Sequence, residues 1–255
     1  MTDTAPTAAL LIIGNEILSG RTQDANMAHI AKYLAGIGVR FREARVVPDV
    51  EGEIIDAVNA LRAKYTYVFT TGGIGPTHDD ITAECVAKAF GVPLVRHPEA
   101  VRRLEKHYAG TDMLNEARLR MANTPEGASL IDNPVSAAPG FQIGNVFVMA
   151  GVPMIMQAML AGLGDRLVGG PKVLVRTVAS GVPEGTMADP LRAIAADFPG
   201  VDIGSYPAFR QGKISTSLVL RATDPAALDG ATEAVLAMLR SLGVEPQVLE
   251  GYGDS

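Results

Sequence analysis

A glycine-rich segment between an apolar strand and a helical pattern constrains the fold of this chain more than any other feature. The segment runs from Thr70 to Thr82, with the sequence TTGGIGPTHDDIT, and follows the β-branched and aromatic run 66–69. Apolar residues then recur at helical spacing from Ile81 to Phe90. A glycine turn between a strand and a helix gathers backbone N–H groups that lack partners. Such a turn favours an anion such as phosphate.

Two adjacent acids, Asp79 and Asp80, stand in the same turn. Glycines that only form a tight turn, and one aspartate that only caps the helix, are the simpler interpretations. A helix cap needs only one aspartate, so these simpler interpretations leave the second aspartate of the pair unexplained. A carboxylate beside phosphate is reasonable when a divalent cation lies between the two. The absence of a following lysine and the glycine spacing exclude a Walker A loop and a dinucleotide fingerprint. The segment therefore predicts a metal-assisted phosphate or pyrophosphate site.

The composition excludes several classes of function. The 255 residues carry a net charge of −6, only 5% aromatic residues and no tryptophan, which argues against a nucleic-acid partner. The single cysteine, Cys85, lies on an apolar helix face and cannot form an internal disulfide. The apolar run 8–13 is too short for a signal peptide or membrane span. We therefore expect a cytoplasmic protein with no membrane partner.

Strands and helices alternate through the first ninety residues. The continuous apolar run Ala8–Ile13 and the runs 39–47 and 65–71 are typical of buried parallel strands. Asp24 is predicted to cap a helix that points Met27, Ile30, Ala31 and Leu34 inward. This alternation predicts an α/β fold, a three-layer α/β/α domain with a mostly parallel sheet. Residues 94–125 are predicted to be mostly helical, and Gly144–Asn145 to turn a β-hairpin.

A glycine- and proline-rich stretch, residues 164–171, indicates a domain boundary. We place the first domain at residues 1–168 and the second at residues 169–255. The pattern after the boundary is strand, helix, strand, strand, helix, strand, which predicts a small ferredoxin-like α+β domain.

Ligands of open α/β sheets bind beyond the carboxyl ends of the strands. Four acids follow predicted strands and could share one crevice with Mg²⁺, namely Glu16, Asp49, Asp79 and Asp80. Glu16 and Asp49 could equally be ordinary loop residues, and the turns at Asn133 and Pro139 could be turn formers only. With those alternatives open, Asp49, Asp79 and Asp80 are the candidate catalytic residues, with Asp49 and Asp80 as metal ligands. The candidate ligand-binding residues are Gly14, Glu16, Thr71, Gly72, Gly73, Gly75, Pro76, Thr77, Asn133, Pro139, Gly140, Gly151 and Pro153.

An ordered set of motifs resembles the molybdopterin-cofactor biosynthesis (MoaB/Mog-like) domain superfamily. Within it, the chain is most similar to the amino-terminal part of the competence/damage-inducible protein A (CinA) family. The matching segments are Ile13–Gly20, Asp24–Asn26, Val47–Asp49, Thr70–Thr82, Asn133–Val135, Ala138–Gly140 and Gly151–Pro153. The final segment, with Gly204–Pro207, resembles the small middle domain of that family. The nicotinamide-mononucleotide deamidase domain of full-length members has no counterpart in this sequence.

The resemblance implies a site at the glycine loop, with acids matching Asp49 and Asp80 tied to Mg²⁺ and to catalysis. It gives Mn²⁺ as the alternative divalent metal and K⁺ as a further ion of the hydrolysis. It implies hydrolysis of an ADP-ribose-type or FAD-type pyrophosphate, and a homo-oligomer, dimer or trimer. The alternatives are a protein that binds or adenylylates molybdopterin and a non-catalytic nucleotide sensor. Departures from the family pattern keep the sensor open, because Ser136–Ala137 replaces Gly-Thr, Met149–Ala150 replaces Leu-Pro, and Met154–Met156 lacks the usual acid.

Overall fold

The computed structural model describes residues 5–210 and 213–251, and the chain divides after Gly170 into two compact units. The strands of the first unit are β1 (Thr7–Ile13), β2 (Arg40–Val47), β3 (Tyr67–Thr71), β4 (Leu94–Arg96), β5 (Asn123–Pro125), β6 (Ser129–Ile131), β7 (Gly140–Ile143) and β8 (Val146–Met149). Its helices are α1 (Asn15–Leu18), α2 (Asn26–Gly36), α3 (Glu51–Lys64), α4 (Thr82–Phe90), α5 (Pro98–His107), α6 (Glu116–Leu119) and α7 (Pro153–Ala161).

Six strands form the main sheet in the order β2-β1-β3-β8-β7-β6. The first four run parallel to one another, whereas β7 and β6 are antiparallel to their neighbours. The Gly144–Asn145 turn joins β7 to β8 as a hairpin, as predicted. The mostly parallel sheet of the predicted α/β fold is confirmed.

Side chains of β1 alternate between two apolar clusters, which explains why its sequence is apolar without interruption. Ala9, Leu11 and Ile13 pack with residues of α3 and α4 on one face of the sheet. Leu10 and Ile12 pack with residues of α2 and α7 on the other face. The sheet is therefore the middle of three layers, and its loops at the carboxyl ends of the parallel strands are free to carry a site.

Two sequence predictions need correction. Residues 94–125, predicted to be mostly helical, contain α5 and α6 but begin and end with the strands β4 and β5, which pair as a separate two-stranded antiparallel ribbon. Met27 does not point inward and is 42% exposed. The buried stripe of α2 is instead Asn26, Ile30 and Leu34, so a polar residue takes the first inward position. Asp24 does accept a hydrogen bond from the Met27 N–H at 2.9 Å, as a capping residue should.

The second unit has the predicted order of elements. It comprises β9 (Leu174–Ser180), α8 (Glu184–Asp197), β10 (Asp202–Arg210), β11 (Lys213–Ala222), α9 (Pro225–Ser241) and β12 (Gln247–Glu250). The sheet order is β10-β11-β9-β12, with all neighbouring strands antiparallel. Val178 and Leu218 of the sheet pack with Val235 and Leu239 of α9. This is the ferredoxin-like arrangement.

In the part of the chain that the structure describes, no helix combines the length and apolar character needed to span a membrane.

Candidate functional site

The strand order reverses direction between β1 and β3, since the chain passes from β1 outward to β2 and then back to β3 on the other side. Crevices at such switch points are the usual ligand sites of open α/β sheets. Ile12 of β1 is the register partner of Thr71 in β3, and Thr71 is the partner of Met149 in β8. The loops that begin at Gly14, Gly72 and Ala150 therefore leave the sheet side by side.

The glycine loop depends on two residues that no other amino acid could replace without strain. Gly72 and Gly73 have φ angles of 101° and 66°, in the region that favours glycine. A Cβ on Gly72 would lie 2.1 Å from the carbonyl oxygen of Ile13, and one on Gly73 would lie 2.1 Å from Oγ1 of Thr82. The loop thus packs against both β1 and the start of α4.

Thr82, the first residue of α4, ties the glycine loop to the helix. Its N–H donates to the Gly73 carbonyl at 3.0 Å, and its hydroxyl donates to the Gly72 carbonyl at 3.0 Å. Thr82 is fully buried. The first turn of α4 consequently starts directly behind the loop, where its remaining N–H groups and the positive end of the helix dipole favour an anion.

The paired acids meet at one hydroxyl group. Thr77 Oγ1 lies 2.6 Å from Oδ1 of Asp79 and 2.5 Å from Oδ2 of Asp80, and the Thr77 N–H donates to the same Asp80 oxygen at 2.8 Å. The hydroxyl hydrogen bond, with the Asp79 backbone N–H and the nearby His78, holds the pKa of the Asp79 carboxyl below its usual range. One hydroxyl proton serves only one carboxylate at a time, so the pair carries an excess of oxygen acceptors.

The acids of the first and second loops are turned elsewhere. Asp49 accepts a hydrogen bond from the Asn15 N–H at 2.9 Å, at the start of α1. Glu16 folds over Gly14, where a Cβ would lie 2.6 Å from its carboxylate oxygens. Among residues 5–210 and 213–251, no three His, Cys, Asp or Glu side chains gather as a metal site. The expected four-acid crevice is therefore not preassembled, because Asp49 is bound to the Asn15 N–H whereas Asp79 and Asp80 share the Thr77 hydroxyl.

A small cavity of about 40 Å³ opens on the α4 side of the glycine loop. It brings together Gly73, Gly75, Asp80 and Pro139 from the predicted site. Asp80 packs under Gly75, where a Cβ would lie 2.7 Å from Oδ2. The cavity also takes in Arg120, which sequence reasoning missed. Arg120 lies just before the short strand β5, which pairs with β4. Its place near the glycine loop could be predicted only if this pairing were known.

A second cavity, of about 60 Å³, lies at the switch point itself. Five of the predicted ligand-binding residues line it or its rim, namely Glu16, Thr71, Gly72, Gly151 and Pro153. It also contains Asn26, which was not among the candidates. The Asn26 side-chain amide donates to the Gly151 carbonyl at 2.8 Å. Its place in the segment Asp24–Asn26, one of those that carry the family resemblance, is the signal that could have found it.

Other predicted residues have positions that packing accounts for. Asn133 hydrogen-bonds within its own turn, donating to the Ala138 carbonyl at 2.8 Å and to the Ser136 hydroxyl at 2.7 Å. It lines a separate open groove with Arg103, Lys106 and His107. Gly140 is buried in β7, where a Cβ would lie 2.3 Å from the Val148 carbonyl. Pro76 is exposed beside Thr77 in the glycine loop.

Comparison with known proteins agrees with this arrangement. Residues 9–168 match the family model described as the probable molybdopterin binding domain. The chain belongs to this family. Residues 172–248 of this molybdopterin-binding-domain protein match a second model, the middle domain of FAD synthase. These two matches cover the two units that the structure separates.

Individual relatives extend the likeness. A protein of Pyrobaculum calidifontis is 35% identical over 93% of this chain and 95% of its own length. A CinA-like protein of Gloeobacter violaceus is 32% identical over 93% of this chain, but the match covers 58% of that protein. The crystal structure of CinA from Thermoplasma acidophilum, described as of unknown function, has 37% identity and a TM-score of 0.60 over 64% of this chain and 98% of that one. The resemblance to the CinA family is therefore confirmed.

Proposed function

We propose that this protein hydrolyses a nucleotide pyrophosphate of the ADP-ribose or FAD type, with Mg²⁺ or Mn²⁺ bound at the glycine loop. The observation that carries the proposal is the placement of Asp79 and Asp80 on one Thr77 hydroxyl, directly beside a glycine loop that opens at the start of a helix. Phosphate oxygens would accept hydrogen bonds from the N–H groups of the loop and helix, and a hard divalent cation would bind the carboxylates.

The loop and helix supply the positive half of the site. Gly73 and Gly75 contribute only backbone atoms to the lining of the small cavity. Arg120 lines the same cavity and supplies a cation to the site. The start of α4 adds the positive end of its dipole. These groups suit the two negative phosphates of a pyrophosphate.

The acids supply the negative half, and their chemistry fits a divalent metal. Asp79 stays ionised because its pKa is lowered, and Thr77 cannot donate to both carboxylates at once. Asp80 would be a metal ligand, with phosphate oxygens as further ligands. Asp49 would be the second carboxylate ligand once its bond to the Asn15 N–H is released. The bound metal would neutralise charge that develops on the phosphoryl oxygens. We keep K⁺, which only the family resemblance suggests, as an accessory ion.

In the reaction, a water oxygen forms a bond to one phosphorus and the bridging P–O bond breaks. The water loses a proton, for which the carboxylates of Asp79 and Asp80 are the nearby acceptors, and the leaving phosphate departs with the bridging oxygen. The loop N–H groups and Arg120 would hold the diphosphate in line for this displacement. Hydrolysis of ADP-ribose would give AMP and ribose phosphate.

The test is incubation of the purified protein with ADP-ribose, FAD and NAD in Mg²⁺, Mn²⁺ and K⁺, with AMP detected by chromatography. Asp80→Asn should lose turnover by a factor of about 10² or more while the fold is kept. Asp56→Asn is the matched control, because Asp56 is an exposed residue of α3 and loses the same charge. Wild-type turnover in Asp80→Asn would contradict the assigned role.

The match to the probable molybdopterin binding domain favours a second candidate, binding or adenylylation of molybdopterin. ATP-dependent transfer of AMP to molybdopterin, with no AMP released from ADP-ribose, would select it. Tight nucleotide binding without product in any metal would select a non-catalytic sensor. The match of the second unit to the FAD synthase middle domain keeps FAD among the substrates to be tried.

The same resemblance leads us to propose a homo-oligomer, either a dimer or a trimer. Size-exclusion chromatography with light scattering measures this directly, and the mass of one 26.7 kDa chain in solution would overturn it.

A further inference from the structure

Two buried oxygen atoms that belong to residues of the switch-point cavity lack hydrogen-bond partners. These are Oδ1 of Asn26 and Oγ1 of Thr71, which have no partner within the described part of the chain. Asn26 is 4% exposed and Thr71 is 1% exposed. The Asn26 amide nitrogen donates to the Gly151 carbonyl, which identifies the other amide atom as Oδ1, a hydrogen-bond acceptor. Buried acceptors without donors destabilise a fold, so their retention calls for a ligand or bound water.

Both residues line the same cavity of about 60 Å³ at the switch point. Gly72 lines this cavity, and its neighbour Gly73 lines the cavity on the α4 side that holds Asp80. One ligand could therefore extend from the proposed diphosphate site across the Gly72–Gly73 step to Asn26 and Thr71. Gly72 and Gly73 are adjacent in the chain, so the two cavities border consecutive residues of the glycine loop.

The lining of the switch-point cavity restricts what can enter it. Glu16 and Asp24 border it, and their negative charges disfavour a phosphate there. A volume of about 60 Å³ is enough for a pair of hydroxyl groups but too small for a purine or flavin ring. The groups that suit it are small neutral hydrogen-bond donors attached close to the diphosphate.

We propose that this cavity binds the ribose hydroxyl groups next to the diphosphate of the substrate, an inference that rests on the proposed function. One hydroxyl donates to Oδ1 of Asn26, and the second exchanges a hydrogen bond with the Thr71 hydroxyl. The cavity thus makes the site selective for a ribonucleoside diphosphate group over its deoxy counterparts.

The test uses ADP, 2′-deoxy-ADP and 3′-deoxy-ADP as probes, with Mg²⁺ present and binding measured by calorimetry. ADP should bind about tenfold or more tightly than at least one deoxy analogue, since the site otherwise leaves a buried acceptor unpaired. Thr71→Val should weaken ADP binding about tenfold and shrink that preference. Its melting temperature should stay the same or rise, because the lost hydroxyl has no partner in the free protein.

Thr70→Val is the matched control. Thr70 precedes Thr71 in β3, is also fully buried, and also has an unpaired hydroxyl, but it does not line the cavity. This variant should bind ADP and both deoxy analogues as the wild type does. A change in Thr70→Val as large as that in Thr71→Val would overturn the assignment.

The outcomes separate this inference from the proposed hydrolysis. Equal affinity for ADP and both deoxy analogues would overturn the hydroxyl site, even if ADP-ribose is cleaved. A preference for ADP that survives in Thr71→Val would overturn it as well, and so would a failure to bind ADP. A preference that Thr71→Val abolishes, without AMP release from ADP-ribose, would support the cavity and reject the hydrolysis.

Discussion

The Cα of Gly72 lies so close to the carbonyl oxygen of Ile13 that a Cβ at this position would be 2.1 Å from it. The contact joins the ends of β1 and β3 at the switch point. It fixes the path of the glycine loop, and it makes position 72 intolerant of any side chain.

Gly72→Ala should therefore lower the free energy of unfolding by about 3 kcal/mol, from left-handed strain and overpacking together. Gly91→Ala is the control, since Gly91 has a φ of 68° but open space around the missing Cβ. It should lose only about 1 kcal/mol. Urea unfolding measures both values, and equal losses would show that the Ile13 contact does not matter.

Thr82→Val should destabilise the protein by about 1–3 kcal/mol, because it leaves the Gly72 carbonyl without the hydroxyl donor. Nucleotide binding should weaken with it, since the loop keeps only the bond from the Thr82 N–H to the Gly73 carbonyl as its hydrogen bond to this residue. Thr82→Ser keeps the hydroxyl and should keep binding. Calorimetric titration with ADP and thermal melts compare the two variants. Equally weakened ADP binding in Thr82→Ser and Thr82→Val would contradict the role of the hydrogen bond.

Glu43 predicts a defined dependence of stability on pH. Hydrogen bonds from Tyr65, Lys64 and Arg45 lower its pKa from 4.5 to about 2. A depressed carboxyl pKa stabilises the fold above about pH 4.5, and this contribution is lost as the pH falls towards 2. Glu43→Gln should cost about 1–2 kcal/mol at neutral pH, and this cost should disappear as the pH falls through 2.

Denaturant unfolding of Glu43→Gln across this pH range provides the measurement. Glu105→Gln, at an exposed position of α5, serves as the control and should change stability little at any pH. A Glu43→Gln difference that stays constant down to pH 2 would rule out the ionised carboxylate as its source.

The thiol of Cys85 should be inert in the folded protein. It is fully buried, and burial, with the charges of Glu51 and Glu84, raises its pKa to about 11. We expect no reaction with a thiol-specific reagent at pH 8 and complete reaction in denaturant. Rapid labelling of the folded chain would show that α4 opens frequently.

Local patterns carried most of the fold prediction. The apolar run of β1, the hairpin turn at Gly144–Asn145 and the βαββαβ order after Gly170 all have signals within a few residues, and the structure contains each of them. The β4–β5 ribbon has no such signal. Its strands are three residues long and pair across a gap that includes α5 and α6, so only tertiary structure defines them.

The residues of the candidate site likewise fall into those with a local sequence signal and those that depend on tertiary structure. Gly72, Gly73 and Asp80 belong to one contiguous motif, which a single sequence displays. Asn26 and Arg120 come from segments far from that motif, and their roles depend on which strands become neighbours. Asn26 was also hidden by its position in an otherwise apolar helix stripe, where pattern reasoning expects a hydrophobic residue.

The hydrogen bond between Asn26 and Gly151 joins residues 125 positions apart. During synthesis, a chain that has not yet extended past Gly151 cannot close the switch-point cavity, whatever the state of the glycine loop. If the cavity binds a ribose as proposed, ligand capture is a late event in the maturation of the first unit. A nascent chain arrested before β8 would have the phosphate loop in its sequence and still be unable to hold a nucleotide by its sugar.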